Sequence, residues 1–264
     1  MITLRSPLLT GLSLLLLAAG CGVGVEHHSK TSSTTPPATG SASLSGPRVS
    51  LPKAEIRFCT AAVILLDTSG SMLQEVRTRG GKRPKHEIAR QALERIIDHT
   101  AEWTRSHADT QLALGIYQFS SSVSPLVELQ PFDAALAQAS LARIRPSSGT
   151  AIGRALETAF KALYASGCAR KHILCITDGE NTSGPSPEMM ARAYFEASGG
   201  EVQMHFVAFD VAAKKFRFLE GVNGQVVEAA DGEQLEKQLT EIYEKEILAE
   251  APLEDEAAGS KVEE

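Results

Sequence analysis

The chain has 264 residues, a formal net charge of −6 and 43% hydrophobic residues, enough for one proper core. No basic stripe of the kind that tracks a phosphate backbone runs through it, which argues against a nucleic-acid partner. No internal repeat is apparent, and the four cysteines raise the question of the compartment.

Arg5 is the only charge before Leu8, and residues 8–20 are apolar or small, ending L-L-L-L-A-A-G before Cys21. A positive start and an apolar stretch too short to span a bilayer describe a cleaved export signal over residues 1–20. Ala18-Ala19-Gly20-Cys21 resembles a bacterial lipobox, with Ala18 where that motif prefers Leu. The resemblance implies cleavage before Cys21, diacylglycerol on its sulfur and attachment to a membrane of the bacterial cell envelope. Gly22 is not an Asp retention signal, which favours the outer membrane or cell surface in a Gram-negative cell. The alternative is ordinary secretion with a fortuitous cysteine. Residues 21–53 are dominated by Ser, Thr, Pro and Gly and read as a flexible tether with a reach of about 30 Å. Residues 250–264 read as an acidic, disordered tail, which leaves a domain over 54–249.

Within that domain, apolar runs predict strands over 58–66, 111–119, 123–126, 172–177, 201–209 and 225–228. Helical spacing predicts helices over 85–104, 132–142, 152–166, 187–198 and 232–248. Alternating strands and helices build a doubly wound, mostly parallel α/β sheet. Only the short hairpin turning at 120–122 should run antiparallel, at an edge. The segment 74–85 carries Arg77, Arg79, Lys82, Arg83 and Lys85 against Glu75, with Gly80-Gly81, and reads as an exposed, mobile basic loop. It is either a solvated loop or a device that steers an acidic ligand.

Residues 61–72 read A-A-V-I-L-L-D-T-S-G-S-M. A buried strand here ends in Asp67, with Ser69 and Ser71 in the turn that follows. Oxygen donors together suit a hard divalent cation such as Mg²⁺. Taken alone, Asp-x-Ser-x-Ser is a weak pattern that favours a cap at a strand-to-helix turn. Two further segments narrow the choice: Ser148-Gly149-Thr150-Ala151 before a helix, and I-L-C-I-T-D-G over 173–179, a second buried strand ending in Asp178.

This set of Asp67, Ser69, Ser71, Thr150 and Asp178, in this order, resembles the metal-ion-dependent adhesion site of the von Willebrand factor type A domain, and the resemblance covers roughly 58–247. It implies a Rossmann-like fold with the first and fourth strands side by side. It also implies Mg²⁺, or Mn²⁺, held by the hydroxyls of Ser69 and Ser71, with Thr150 as a direct or switchable ligand and Asp67 and Asp178 acting partly through water. An under-neutralised ion of this kind attracts an Asp or Glu carboxylate from a protein partner. If the neighbouring strands run with their aspartates level, Cys59 and Cys168 meet at the opposite rim and pair, leaving Cys175 as a buried thiol.

Three functions follow. The first is a lipid-anchored, cation-dependent protein-binding module with no enzymatic activity. The second is a structural or assembly lipoprotein whose ion only stabilises the fold. The third is a metal-dependent hydrolase. A phosphatase of the haloacid dehalogenase type needs a second acid where Ser69 stands, and no lysine is in an obvious place to steady a phosphate. Ser69 or Ser71 as a nucleophile needs a base, and His172 and His205 fall at or within strands, away from the rim.

Overall fold

The computed structural model describes residues 47–249, so Cys21, the export signal and residues 250–264 lie outside the described residues. In chain order the elements are β1 (Arg57–Asp67), β2 (Glu75–Thr78), β3 (Gly81–Pro84) and α1 (Lys85–Ser106). Next come β4 (Leu112–Phe119), β5 (Val123–Pro131), α2 (Ala134–Ser140) and α3 (Ile152–Ser166). The last are β6 (Cys168–Thr177), α4 (Pro187–Ser198), β7 (Val202–Phe209), β8 (Gly224–Ala229) and α5 (Gly232–Ile242).

Between Ala61 and Leu66, β1 has no polar residue, and a strand with no wet face belongs in the middle of a sheet covered on both sides. That is its place: the six-stranded sheet has the order β5-β4-β1-β6-β7-β8. Every pairing is parallel except β4 with β5. Because side chains alternate across a strand, Ala62, Ile64 and Leu66 face a layer holding Ile88, Leu93 and Ile96 of α1 and Leu235 and Leu239 of α5. Ala61, Val63 and Leu65 face the other layer, with Leu156 and Phe160 of α3 and Tyr194 of α4. The fold is therefore the doubly wound, mostly parallel α/β sheet that the alternation of elements implies.

Several boundaries differ from the sequence reading. The helix expected over 132–142 is α2, capped by Asp133, whose carboxylate accepts from Leu136 N at 2.9 Å, and then a 3-10 turn over Leu141–Arg143. The strand expected over 123–126 continues to Pro131, and the last helix ends as a π turn over Tyr243–Ile247. Val49 and Leu51, counted by composition with the tether, pack against the α3–α4 layer.

The largest correction concerns the basic segment 74–85. It is an ordered antiparallel hairpin of β2 and β3, with Thr78 paired to Gly81. Gly81 has φ +120°, a backbone that favours glycine, and Thr78 Oγ1 donates to Gly81 O at 2.9 Å. Val76 is buried in the α1–α5 layer and anchors the hairpin, to which the exposed Arg79–Glu233 ion pair adds little. Lys85 N donates to Gln74 O at 2.9 Å, closing the hairpin at its base.

A disulfide joins Cys59 to Cys168, with their Cα atoms 4.8 Å apart, and Cys175 is a buried free thiol. The level register holds at the bridge, where Arg57 opposes Cys168, but not along the rest of the pair. Leu66 opposes Ile176, so Asp67 faces Thr177 and the two aspartates are offset by one residue. An irregularity in the ladder between Arg57 and Thr60 changes the register there, and Arg57 opposes Cys168. The bridge spans 109 residues of sequence, a closure worth up to about 4–5 kcal/mol in chain-entropy terms.

A candidate cation site at the carboxyl rim of the sheet

β1 and β6 are parallel neighbours, so their carboxyl ends lie together on one rim, where ligands of open α/β sheets are held. Asp67 is the last residue of β1, and Asp178 follows the last residue of β6. The turn after Asp67 is a 3-10 turn over Gly70–Leu73, closed by Met72 N donating to Ser69 O at 3.0 Å. Two contacts hold it in place. Met72 is fully buried in the α1–α5 layer, and Thr68 N donates to Phe119 O of β4 at 2.8 Å.

Asp67 is fully buried, and each of its oxygens accepts one hydrogen bond, Oδ1 from Ser69 N at 2.7 Å and Oδ2 from Thr177 Oγ1 at 2.6 Å. Its pKa is raised from 3.8 to about 6, chiefly by burial; hydrogen bonds from Thr177 and from the backbone and side chain of Ser69 pull the other way, and the neighbouring charge of Asp178 adds to the rise. Ser71 Oγ donates its single proton to Asp178 Oδ1 at 2.7 Å. The 2.9 Å contact between the two serine hydroxyls is therefore donated by Ser69.

Thr150 reaches the rim on a loop tied to every segment around it. Ser147 N donates to Thr68 O at 2.7 Å, Ser121 N to Ser148 O at 3.0 Å, and Ala151 N to Ser120 O at 2.7 Å. On its other side, Thr182 N donates to Thr150 O at 2.8 Å, and Thr150 N to Thr182 Oγ1 at 2.8 Å. Gly149, at φ +79°, makes the tight turn, and a side chain there would press on Ser121. Gly179 borders the same space: a Cβ added to it would stand 3.9 Å from Thr150 Oγ1 and 4.0 Å from Ser71 Oγ.

The five residues singled out by sequence are thus brought to one rim. Their donor set suits a hard divalent cation: three hydroxyls and two carboxylates, with oxygen throughout. Among the described residues no group of three or more His, Cys, Asp or Glu side chains could hold a metal, so a cation here depends on the hydroxyls. Hydrogen bonds link the Ser69 and Ser71 hydroxyls and the Asp178 carboxylate into one chain.

Two rim residues were missed by the sequence reading. Lys85, placed there in an exposed loop, is buried at 3% exposure, its Nζ 3.0 Å from Asp178 Oδ2 and 2.8 Å from Asp210 Oδ2. Burial works against its charge, but the Asp210 and Asp178 carboxylates outweigh burial and raise its pKa above the ordinary lysine value. So a lysine does stand beside the rim, contrary to the reading that none is in an obvious place. Asp210 follows the last residue of β7 at φ +55°, the left-handed conformation that Asp tolerates better than most residues. An apolar strand followed at once by Asp is the pattern of Asp67 and Asp178, and it was the available signal. Lys85 had none. Among the described histidines, His86 Nδ1 lies 3.1 Å from Met72 O, a backbone atom of the turn, and His172 and His205 are in contact with each other inside the sheet.

Residues 62–180 match the von Willebrand factor type A domain, a span that includes all five rim oxygen donors. The chain is 30% identical over 141 residues to Uncharacterized protein YwmD of Bacillus subtilis (strain 168), covering 51% of this chain and 61% of that one. Its fold is similar to that of the PilB minor pilin from Streptococcus sanguinis, with a TM-score of 0.57 and 18% identity over 73% of this chain and 62% of the pilin. It is also similar to a von Willebrand factor type A structure from Catenulispora acidiphila, with a TM-score of 0.54 and 24% identity over 70% of this chain and 42% of that one. At these identities the likeness to the two structures is one of fold. Together the matches support a von Willebrand factor type A domain within this chain.

Proposed function

We propose that this is a lipid-anchored protein of the bacterial envelope whose rim holds Mg²⁺, or Mn²⁺, and uses it to take an Asp or Glu carboxylate from a protein partner. A von Willebrand factor type A domain and a pilin-like neighbour fit an adhesion or assembly role. The observation that carries the reading is the convergence of Asp67, Ser69, Ser71, Thr150 and Asp178 from three separate segments onto one rim, with oxygen atoms only. Ser69, Ser71 and Thr150 would hold the ion through their hydroxyls, while Asp178 orients the Ser71 hydroxyl, Asp67 fixes the Ser69 backbone, and both supply negative charge. A bound divalent ion would supply a point of attraction for a carboxylate. A non-enzymatic role is supported by the way the serine hydroxyls are engaged, with each other and with a carboxylate rather than with an imidazole.

Thr150→Ala is the sharpest test, because it removes one hydroxyl while leaving the backbone bonds of its loop in place. Wild-type protein is expected to retain a partner from solubilised envelope in Mg²⁺ and release it with EDTA. Thr150→Ala is expected to lose at least nine-tenths of that capture, with a change in metal-free stability of about 1 kcal/mol or less. Full capture by the variant, or capture indifferent to EDTA, sinks the proposal. Loss of stability without loss of capture would favour the ion as a purely structural element.

The anchor is tested separately. Among the described residues no helix is long and apolar enough to cross a membrane; attachment in this proposal comes from lipid on Cys21. Cys21→Ser is expected to move the protein from the membrane fraction to the soluble one, or to leave it uncleaved. A mature, lipid-bearing Cys21→Ser species would contradict the lipobox reading.

A further inference from the structure

Asp67 ends β1, and Asp178 and Asp210 directly follow the last residues of β6 and β7, the next two strands in the sheet, which places three acids in a row along the rim. The Lys85 ammonium lies between the second and third, 3.0 Å from Asp178 Oδ2 and 2.8 Å from Asp210 Oδ2. Asp178 is divided between two partners: Oδ1 accepts from Ser71, one of the hydroxyls of the candidate site, and Oδ2 accepts from Lys85. Nothing about this lysine is incidental to a mobile side chain. It is the first residue of α1, its N–H is bonded to Gln74 O, and its side chain is buried.

We infer that Lys85 is a resident counter-charge of the cation site, which draws Asp178 away from a bound ion, weakens ion binding and leaves the rim under-neutralised and receptive to an acidic partner. The inference rests on the cation-site reading above. A carboxylate whose second oxygen is held by an ammonium offers less negative potential to a cation on its first. A fixed positive charge in a poorly solvated place also repels a divalent ion directly. Asp210 moderates the effect by sharing the ammonium. Lys85 is thus a positioning residue, acting on the ion through Asp178.

The test is isothermal titration of the metal-free protein with Mg²⁺ and with Mn²⁺ for wild type, Lys85→Met, Lys85→Arg and Asp210→Asn. Lys85→Met is expected to bind both ions at least tenfold more tightly than wild type. Lys85→Arg, which keeps the charge, should stay within about threefold. Asp210→Asn removes a negative charge and leaves the ammonium to Asp178 alone, so it should bind several-fold more weakly. Wild-type binding together with unchanged or weaker binding by Lys85→Met overturns this inference and leaves the cation site standing. Should Lys85→Met fail to fold, unchanged or tighter binding by Asp210→Asn overturns it equally. The absence of any binding heat or metal-dependent melting shift in wild type sinks the cation-site reading itself, and this inference with it.

Discussion

Asp67→Asn protein is expected to melt higher than wild type in EDTA and to show no rise when Mg²⁺ or Mn²⁺ is added. The two effects have separate causes. At neutral pH the wild-type carboxylate is ionised although fully buried, and burial has moved its pKa from 3.8 to about 6. At 1.36 kcal/mol per unit, that shift corresponds to about 3 kcal/mol by which the metal-free fold is weakened. A neutral side chain removes this cost. Asn keeps one acceptor for Ser69 N but must turn its amide towards Thr177 Oγ1, which now accepts instead of donating. Losing that charge-assisted bond offsets ~1–2 kcal/mol, so a net gain of about 1–2 kcal/mol remains. The second effect is linkage. An ion that binds only the native state adds about 2.7 kcal/mol at a hundredfold excess over its Kd, which for a domain of this size is ~5–10 °C in Tm. Wild type should therefore start below the variant and overtake it as Mg²⁺ saturates. Equal responses from the two proteins would show that no ion sits at Asp67.

The rim shows what a sequence can and cannot convey about such a site. Asp67, Ser69 and Ser71 are legible because they are local: a strand with no polar residue from Ala61 to Leu66 has to end at the rim, and the turn follows at once. Thr150 and Asp178 are legible only beside a known family pattern, since nothing in their spacing says that β6 lies next to β1. Lys85 was out of reach for a different reason. Among Arg77, Arg79, Lys82 and Arg83 it looks like one more solvated charge, and only the closure of the hairpin by its own N–H on Gln74 O turns it inward. Asp210 repeats the strand-then-Asp pattern of the other two, but its meaning depends on β7 following β6 in the sheet. The cysteine pairing presumes a level register, which holds only at the amino end where Arg57 opposes Cys168; past the irregularity before Thr60 the strands are offset by one residue. Sequence periodicity determines which face a side chain takes. Registers, bulges and hairpin closures are settled between segments far apart in the chain, and the finer electrostatics of the rim depend on them.

Acid should weaken the domain through a second buried cluster, His172 and His205 in the middle of β6 and β7. Gln225 Nε2 donates to His205 Nδ1 at 2.6 Å, so the His205 proton is on Nε2, which faces His172 Nδ1 at 3.5 Å. Both rings are neutral in this arrangement. Burial, then the neighbouring His205 and Arg170, lowers the pKa of His172 to about 3, and burial lowers that of His205 to about 4. Arg170 cannot swing clear, because its guanidinium donates to Glu246 O and Ala249 O. In the unfolded chain both histidines take up protons below about 6.5, whereas in the folded protein they resist until pH 4 or lower. Their contribution is thus complete above 6.5 and is lost as the pH falls towards the folded values. By pH 4.5 the loss is about 5 kcal/mol for the pair. Asp67 works in the opposite direction in metal-free protein, since its raised pKa favours the fold on acidification, but over the same interval it returns only about 2 kcal/mol. The histidines win, and stability should fall. Urea unfolding at a series of pH values between 6.5 and 4.5 measures the slope directly. Replacing His172 by Gln should reduce that slope by about 1.4 kcal/mol per pH unit, the linkage of one proton, and Asp67 cancels from the comparison because both proteins carry it. An unchanged slope would mean that His172 is protonated in the folded state and that the neutral pair described here is wrong.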